Sequence, residues 1–230
     1  MRLYRFLFFK TKQFIRMINY INIHTHHLGT ENEITIYNNR FLFNREIKTE
    51  KLFSIGIHPY DINLVDENSF KELEKNLSDK NCKAIGECGL DKLKNTDFKS
   101  QKIILQKQLE LALKYNKPLI IHCVKAFDEL IELCKPFENK IQLIIHGYNK
   151  SEELALQLIS KGFYLSLNHT IFNKENFDFT KLPINKLFFE TDDYTLISIS
   201  EVYKTASIKL KMDVNELKEK IYSNFNLLFL

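Results

Sequence analysis

Eight short apolar runs punctuate the chain, and most are followed by a longer polar or amphipathic stretch. They are Tyr20–Ile23, Ile34–Tyr37, Leu52–Ile57, Cys82–Gly86, Leu119–Ile121, Gln142–Ile145, Phe163–Leu167 and Lys186–Phe189. Several are rich in Ile, Leu and Phe with little internal alternation, as in strands covered on both faces. Between the later runs the apolar positions recur at helical spacing. In Phe98–Tyr115, Ile103, Ile104, Leu105, Leu109, Leu111 and Ala112 stand among lysines and glutamines, and Ala126–Cys134 and Ser151–Ser160 behave similarly. Ser151 followed by Glu152 and Glu153 makes a good helix start. Two more helices are expected near Ser198–Leu210 and Val214–Asn224. Alternation of this kind predicts a parallel sheet, and eight units predict a closed (β/α)8 TIM barrel of the α/β class. Residues 38–51 are short for a helix between the second and third strands, so that early crossover is expected to be abbreviated. The chain has no Gly-rich GxGxxG turn, which argues against a dinucleotide fold.

At 230 residues the chain suits one compact domain with a sizeable core. No apolar run approaches the length of a membrane span. The four cysteines, Cys82, Cys88, Cys123 and Cys134, form no CxxC pair and read as reduced thiols of a cytoplasmic protein. The formal charge of +4 comes from the first 17 residues, which hold five of the 33 basic side chains and no acid. Residues 1–16 are thus a basic, aromatic leader: either a surface-binding segment or an upstream extension of a barrel domain over 17–230. The near-neutral body lacks the broad basic footprint of a protein that grips duplex DNA over a wide surface.

Candidate chemistry gathers at the expected strand ends, where barrels carry their functional groups. His24 and His26 follow the first run, and an i, i+2 pair on a strand points both rings to one side while His27 turns away. His58 follows the third run, Glu87 the fourth, His122 the fifth, His146 the sixth and Asp192 the last. The second and seventh ends offer only Asn38 or Asn39 and Asn168 or His169. Each position alone has an ordinary structural reading; their agreement on one rim points to a metal. Imidazole with carboxylate suits Zn²⁺, Mn²⁺, Fe²⁺, Co²⁺ or Ni²⁺ and leans away from calcium. Four histidines and two carboxylates suit two ions sharing Glu87, with His24, His26 and Asp192 on one and His122 with His146 on the other. Asp192 is then the expected base for an activated water, with Glu87 the bridge.

The stretches "INIHTHH", "SIGIHPYD", "AIGECGLD", "KPLIIHC", "IIHGY" and "FFETD" resemble the TatD-like metal-dependent hydrolases, amidohydrolase-type TIM barrels, and in particular their shorter branch. "LKEKIYSNFNLLF" resembles that family's closing helix. The resemblance implies two divalent ions, Mg, Mn or Zn, on His24, His26, Glu87, His122, His146 and Asp192. It implies a deoxyribonuclease activity on DNA ends or single strands, and a His58 that lies near the substrate phosphate. The chain departs from the family pattern in places. Asn22 stands where an aspartate is common, Val124 where an arginine is usual, "ETDDYT" lacks a proline, and "HGYNKS" replaces a cysteine–aromatic–small pattern.

Three functions follow as expectations. The first is a two-metal phosphodiesterase on DNA, with His58, Lys125, Tyr60 and Tyr148 holding phosphate and stacking bases. The second keeps the metals but cleaves a small-molecule ester, amide or lactone. The third is a non-enzymatic barrel recruited to a surface by its leader. A monomer with no stable protein partner and no membrane attachment is expected.

Overall fold

A computed structural model describes residues 18–40 and 51–230. The basic leader (1–16) and most of the short second crossover (41–50) lie outside the described residues. Eight parallel strands run in sequence order: β1 Tyr20–Thr25, β2 Glu33–Arg40, β3 Phe53–Gly56, β4 Cys82–Asp91, β5 Leu119–Val124, β6 Leu143–Ile145, β7 Tyr164–Leu167 and β8 Leu187–Phe189. Each coincides with one of the apolar runs, because Ile21, Ile23, Phe53, Ile55, Ile120, Ile144, Leu165 and Phe188 are fully or almost fully buried. The helices are α1 Ser69–Leu77, α2 Phe98–Tyr115, α3 Phe127–Cys134, α4 Glu152–Ser160, α5 Ile199–Leu210 and α6 Val214–Phe229. Three short 3-10 turns between residues 171 and 186 replace a helix between β7 and β8. No helix among the described residues is long and apolar enough to cross a membrane. All four cysteines are free and buried.

β1 and β8 close the cylinder without a regular ladder between them. At the rim, a single parallel bridge joins Thr25 to Asp192, with Asp192 N–H donating to the His24 carbonyl at 3.1 Å and His26 N–H to the Asp192 carbonyl at 3.0 Å. Lower in the seam a side chain takes over. The buried Tyr203 hydroxyl of α5 accepts from Ile21 N–H at 3.2 Å and donates to the Ile21 carbonyl at 3.1 Å. Backbone groups buried at a strand edge need partners, and here one phenol supplies both.

Helix α2 fixes the far side of the same rim. It starts under Asp97, which caps Ser100 N–H at 2.7 Å. Its buried stripe includes two glutamines at i and i+7, Gln101 and Gln108. Gln108 accepts from Ile57 N–H (2.8 Å) and donates to the Ile57 carbonyl (3.1 Å). Gln101 does the same for Asp91, at 2.8 and 3.0 Å. Both are essentially unexposed, so these amides act as extra strand partners for the backbone next to His58 and at Asp91.

Candidate metal centre

Strand β4 is longer than its apolar run suggests. The register against β5 shifts between Ile85 and Cys88 and then resumes to Asp91↔Val124, so Glu87 lies inside the strand rather than at its end. Gly89 permits that close pairing: its φ is +147°, and a Cβ there would overlap the His122 carbonyl oxygen. Glu87, Gly89 and Asp91 alternate onto one face.

The two oxygens of Glu87 face different donors. Oε2 looks toward β1, 3.6 Å from His24 Nε2 and 3.9 Å from His26 Nε2. Oε1 looks the other way, 3.1 Å from His122 Nδ1 and 3.0 Å from each of His146 Nε2 and His58 Nε2. Asp192 Oδ1 completes the β1 side, 3.4 Å from His24 Nε2 and 3.5 Å from His26 Nε2. Asn38 of β2 clamps Glu87, donating to Oε2 at 3.1 Å and accepting from its N–H at 3.1 Å. Burial alone would raise the Glu87 carboxyl, yet the His146 charge and hydrogen bonds from His122, His146 and His58 hold it well below the usual carboxylate range. For Asp192, burial is likewise outweighed by the His24 and His26 imidazoles, and its carboxyl is also held far down.

Outer carboxylates fix which nitrogen of each imidazole faces inward. His122 Nε2 lies 3.2 Å from Asp91 Oδ2, and His146 Nδ1 lies 3.4 Å from Glu190 Oε1. With ring protons on those outer nitrogens, His122 Nδ1 and His146 Nε2 turn lone pairs toward Glu87. Lone pairs facing a carboxylate oxygen at 3.0–3.1 Å need a cation or a proton between them. Consistently, His146 is pushed well above the ordinary imidazole range, because Glu87 and Glu190 override the lowering effect of burial. Two nitrogens on one tetrahedral ion at about 2.1 Å stand about 3.4 Å apart, and His122 Nδ1 lies 3.4 Å from His146 Nε2. His24 gives the clearest sign: it is fully buried and neither ring nitrogen has a hydrogen-bond partner among the described residues. An orphaned imidazole is costly unless it ligates. The donors therefore fit divalent cations.

His58 differs from the other four. Its Nδ1 accepts from Tyr60 N–H at 3.1 Å, so in the neutral ring the proton sits on Nε2 and points at Glu87. Burial, only partly offset by Glu87, lowers its pKa and keeps the ring neutral. It is a hydrogen-bond donor, not a ligand.

A family model described as TatD related DNase matches residues 28–230. The chain belongs to the TatD related DNase family. Among its TatD relatives, a TATDN1 homolog of Enterocytozoon bieneusi is 35% identical over 174 residues, covering 70% of this chain and 62% of that protein. The 3'-5' ssDNA/RNA exonuclease TatD of Edwardsiella piscicida is 28% identical over 144 residues, covering 60% of this chain and 55% of that protein. The chain thus spans less than two thirds of the length of either. The TatD homolog YjjV of Escherichia coli K12 shares the fold, with a TM-score of 0.78 at 20% identity over 93% of this chain and 98% of that one.

In this TatD chain the six candidate ligands converge, and His27 turns away to the Asp193 carbonyl at 3.1 Å. The substrate-facing residues divide. Tyr60 stands at the mouth, 38% exposed, its ring edge-on to His58 and under the Lys94 ammonium at 4.1 Å. Lys125 is exposed in a left-handed conformation (φ +52°) and is not hydrogen-bonded or ion-paired to the centre among the described residues. Tyr148 does not offer a stacking face. It is 1% exposed, its N–H is tied to the Ser166 carbonyl at 3.0 Å, and its hydroxyl donates to the Ser151 carbonyl at 2.5 Å. Asn22 pairs through both ends of its amide with Thr191, beside Asp192, at 2.9 and 3.2 Å. Asp91 and Glu190 escaped the sequence reading, and Asn38 was named only as what the second strand end offers. An i, i+2 step from Asp192 to Glu190 and an i, i+4 step from Glu87 to Asp91 were the available signals.

Proposed function

We propose that this protein is a two-metal phosphodiesterase acting on DNA, at single strands or ends. The observation that carries the reading is Glu87, one oxygen to His24 and His26 and the other to His122 and His146. One ion would be held by His24, His26 and Asp192, the other by His122 and His146, with Glu87 shared. Bound there, divalent cations acidify water and neutralise charge on a scissile phosphodiester.

The chain's own groups take the remaining roles. Asp192 is the base. Its side chain is 22% exposed, whereas Glu87, Asp91 and Glu190 are each 8% exposed or less. Its depressed pKa keeps it ionised, ready to accept a proton at a carboxylate oxygen, and its low basicity makes the acidified water necessary. The backbone holds it still: Asp192 sits at φ +55°, a conformation that aspartate tolerates better than most residues, between two rim hydrogen bonds. His58 spends its Nε2–H on Glu87 Oε1 and so holds the shared carboxylate in place, and Tyr60 with Lys94 forms a cationic, aromatic lip beside it. The names of the relatives, a single-strand exonuclease among them, support a nucleic-acid substrate.

The test is a metal-reconstituted screen of full-length protein against single-stranded, duplex and abasic oligonucleotides beside ester and lactone surrogates. Chelation abolishes oligonucleotide cleavage, Mn²⁺ or Mg²⁺ restores it, and Asp192→Asn lowers kcat by about 10²–10⁴-fold with the fold intact. Cleavage of the surrogates with inert oligonucleotides would replace the reading with a small-molecule hydrolase.

A further inference from the structure

Beside the centre lies a cavity of about 280 Å³ whose wall includes His122, His146 and Asp192. Its far side is made by Asn149, Lys150, Asn168, Thr170 and Tyr194, none of which the proposed hydrolysis uses. We propose that this cavity seats the sugar and base of one unpaired nucleotide, with Tyr194 as the stacking wall and Lys150 holding a neighbouring phosphate. The inference rests on the nuclease reading and names the part of the substrate that the ligands themselves do not touch.

Four observations carry it. The size suits one nucleoside: pockets for whole drug-sized ligands begin near 300 Å³, and this one lies just below. Tyr194 is an aromatic side chain with a free surface, 41% exposed. It is held in place, with its N–H on the Thr191 carbonyl at 3.1 Å and its ring edge-on to His169 at 4.1 Å. The polar wall has a fixed direction: Asn149 Nδ2 donates to Thr170 Oγ1, while Thr170 Oγ1–H and N–H both donate to Asn168 Oδ1. That network uses the Asn168 oxygen and leaves its Nδ2 protons without a partner among the described residues, available to an acceptor on a base or sugar. Lys150 is exposed and forms no ion pair among the described residues, the situation of a side chain that meets an anion from outside.

On the other side of the centre another exposed ring, Tyr60, lies under the Lys94 ammonium. A strand crossing the ligands thus meets an aromatic and a lysine on each flank. A base lodged against Tyr194 is out of its duplex stack, so the cavity selects single strands and frayed ends.

The experiment compares KM for a single-stranded oligonucleotide with KM for the same strand carrying base-less tetrahydrofuran units at the cleavage end, in the Mn²⁺-loaded full chain. Wild type prefers the strand with bases. Tyr194→Leu shrinks that preference about tenfold, the scale of one base–aromatic stack, and Tyr194→Phe keeps it. Lys150→Ala flattens the salt dependence of KM on both strands. An undiminished preference in Tyr194→Leu, or an equal loss of kcat on both strands, overturns the subsite while leaving the nuclease intact. A wild type that cleaves no oligonucleotide under any metal overturns the nuclease reading, and the subsite with it. Melting temperatures of the variants confirm that the exposed substitutions leave the barrel folded.

Discussion

Glu190→Gln isolates the outer support of the centre from the ligands themselves. Glu190 is fully buried; its Oε1 accepts from Gly147 N–H at 2.7 Å and faces His146 Nδ1 at 3.4 Å, while Oε2 has no hydrogen-bond partner among the described residues. Glutamine has the same shape. It can keep an oxygen toward Gly147 and His146, because the flipped amide would set N–H against the Gly147 N–H. The NH₂ group then occupies the Oε2 position, with two donors and nothing to receive them. A buried, unsatisfied donor costs about 1–3 kcal/mol, and a protein of this size loses about 2–4 °C of Tm per kcal/mol. Metal-free Tm should therefore fall by roughly 2–12 °C. The lost charge also leaves His146 a weaker base, and loss of such a partner typically lowers metal affinity 10–100-fold. Free Mn²⁺ followed by electron paramagnetic resonance reads that affinity, and thermal melts with and without chelator separate it from fold stability. A Glu190→Gln protein whose Mn²⁺ affinity stays within about twofold of wild type would refute the assignment of Glu190 to His146.

Two further predictions use different parts of the molecule. In the metal-free protein His146 is held well above its ordinary value by Glu87 and Glu190 against burial, and His26 is raised chiefly by its hydrogen bond to Asp192. A cation must displace the His146 proton, so apparent Mn²⁺ affinity rises with pH until the raised value is passed. Calorimetry in buffers of different ionisation heat should show proton release at neutral pH, and none would contradict the lone-pair geometry. In chelated protein the same two groups contribute stability that is present below about pH 6.5 and lost as pH climbs through their folded values. Tyr203→Phe keeps the ring contacts to Tyr20 and Phe189 but strands both backbone groups of Ile21 in the seam. Urea unfolding should report a loss of about 2–4 kcal/mol, and a loss below about 0.5 kcal/mol would mean the seam finds other partners.

The eight strands were legible because a strand buried on both faces announces itself as an unbroken apolar run. The convergence of the candidate ligands was legible from the same runs: each residue alone had an ordinary reading, but all of them fell at strand ends of one rim. The extension of β4 was not: "ECGLD" breaks the apolar pattern with two carboxylates and a glycine, so the shared face of Glu87 and Asp91 lay hidden. Gln101, Gln108 and the clamp that Asn38 forms on Glu87 were invisible for another reason. Their partners are backbone groups or a distant carboxylate, which exist at those positions only after the cylinder has closed. Tyr148 looked like a rim aromatic, but Gly147 turns the chain at φ +55° and the Ser166 hydrogen bond sends the ring into the core.

The gap between the first and last strands has a mechanical meaning. His24 and His26 stand on one lip of that join and Asp192 on the other, with a lone rim bridge and a phenol where a ladder would be. An ion held by all three, as proposed, would work as a clasp, tying the chain's early segment to a residue more than 160 positions later. Loading the site would then fasten the cylinder shut, and stripping it would leave the join as the place where the wall first parts on heating or in urea.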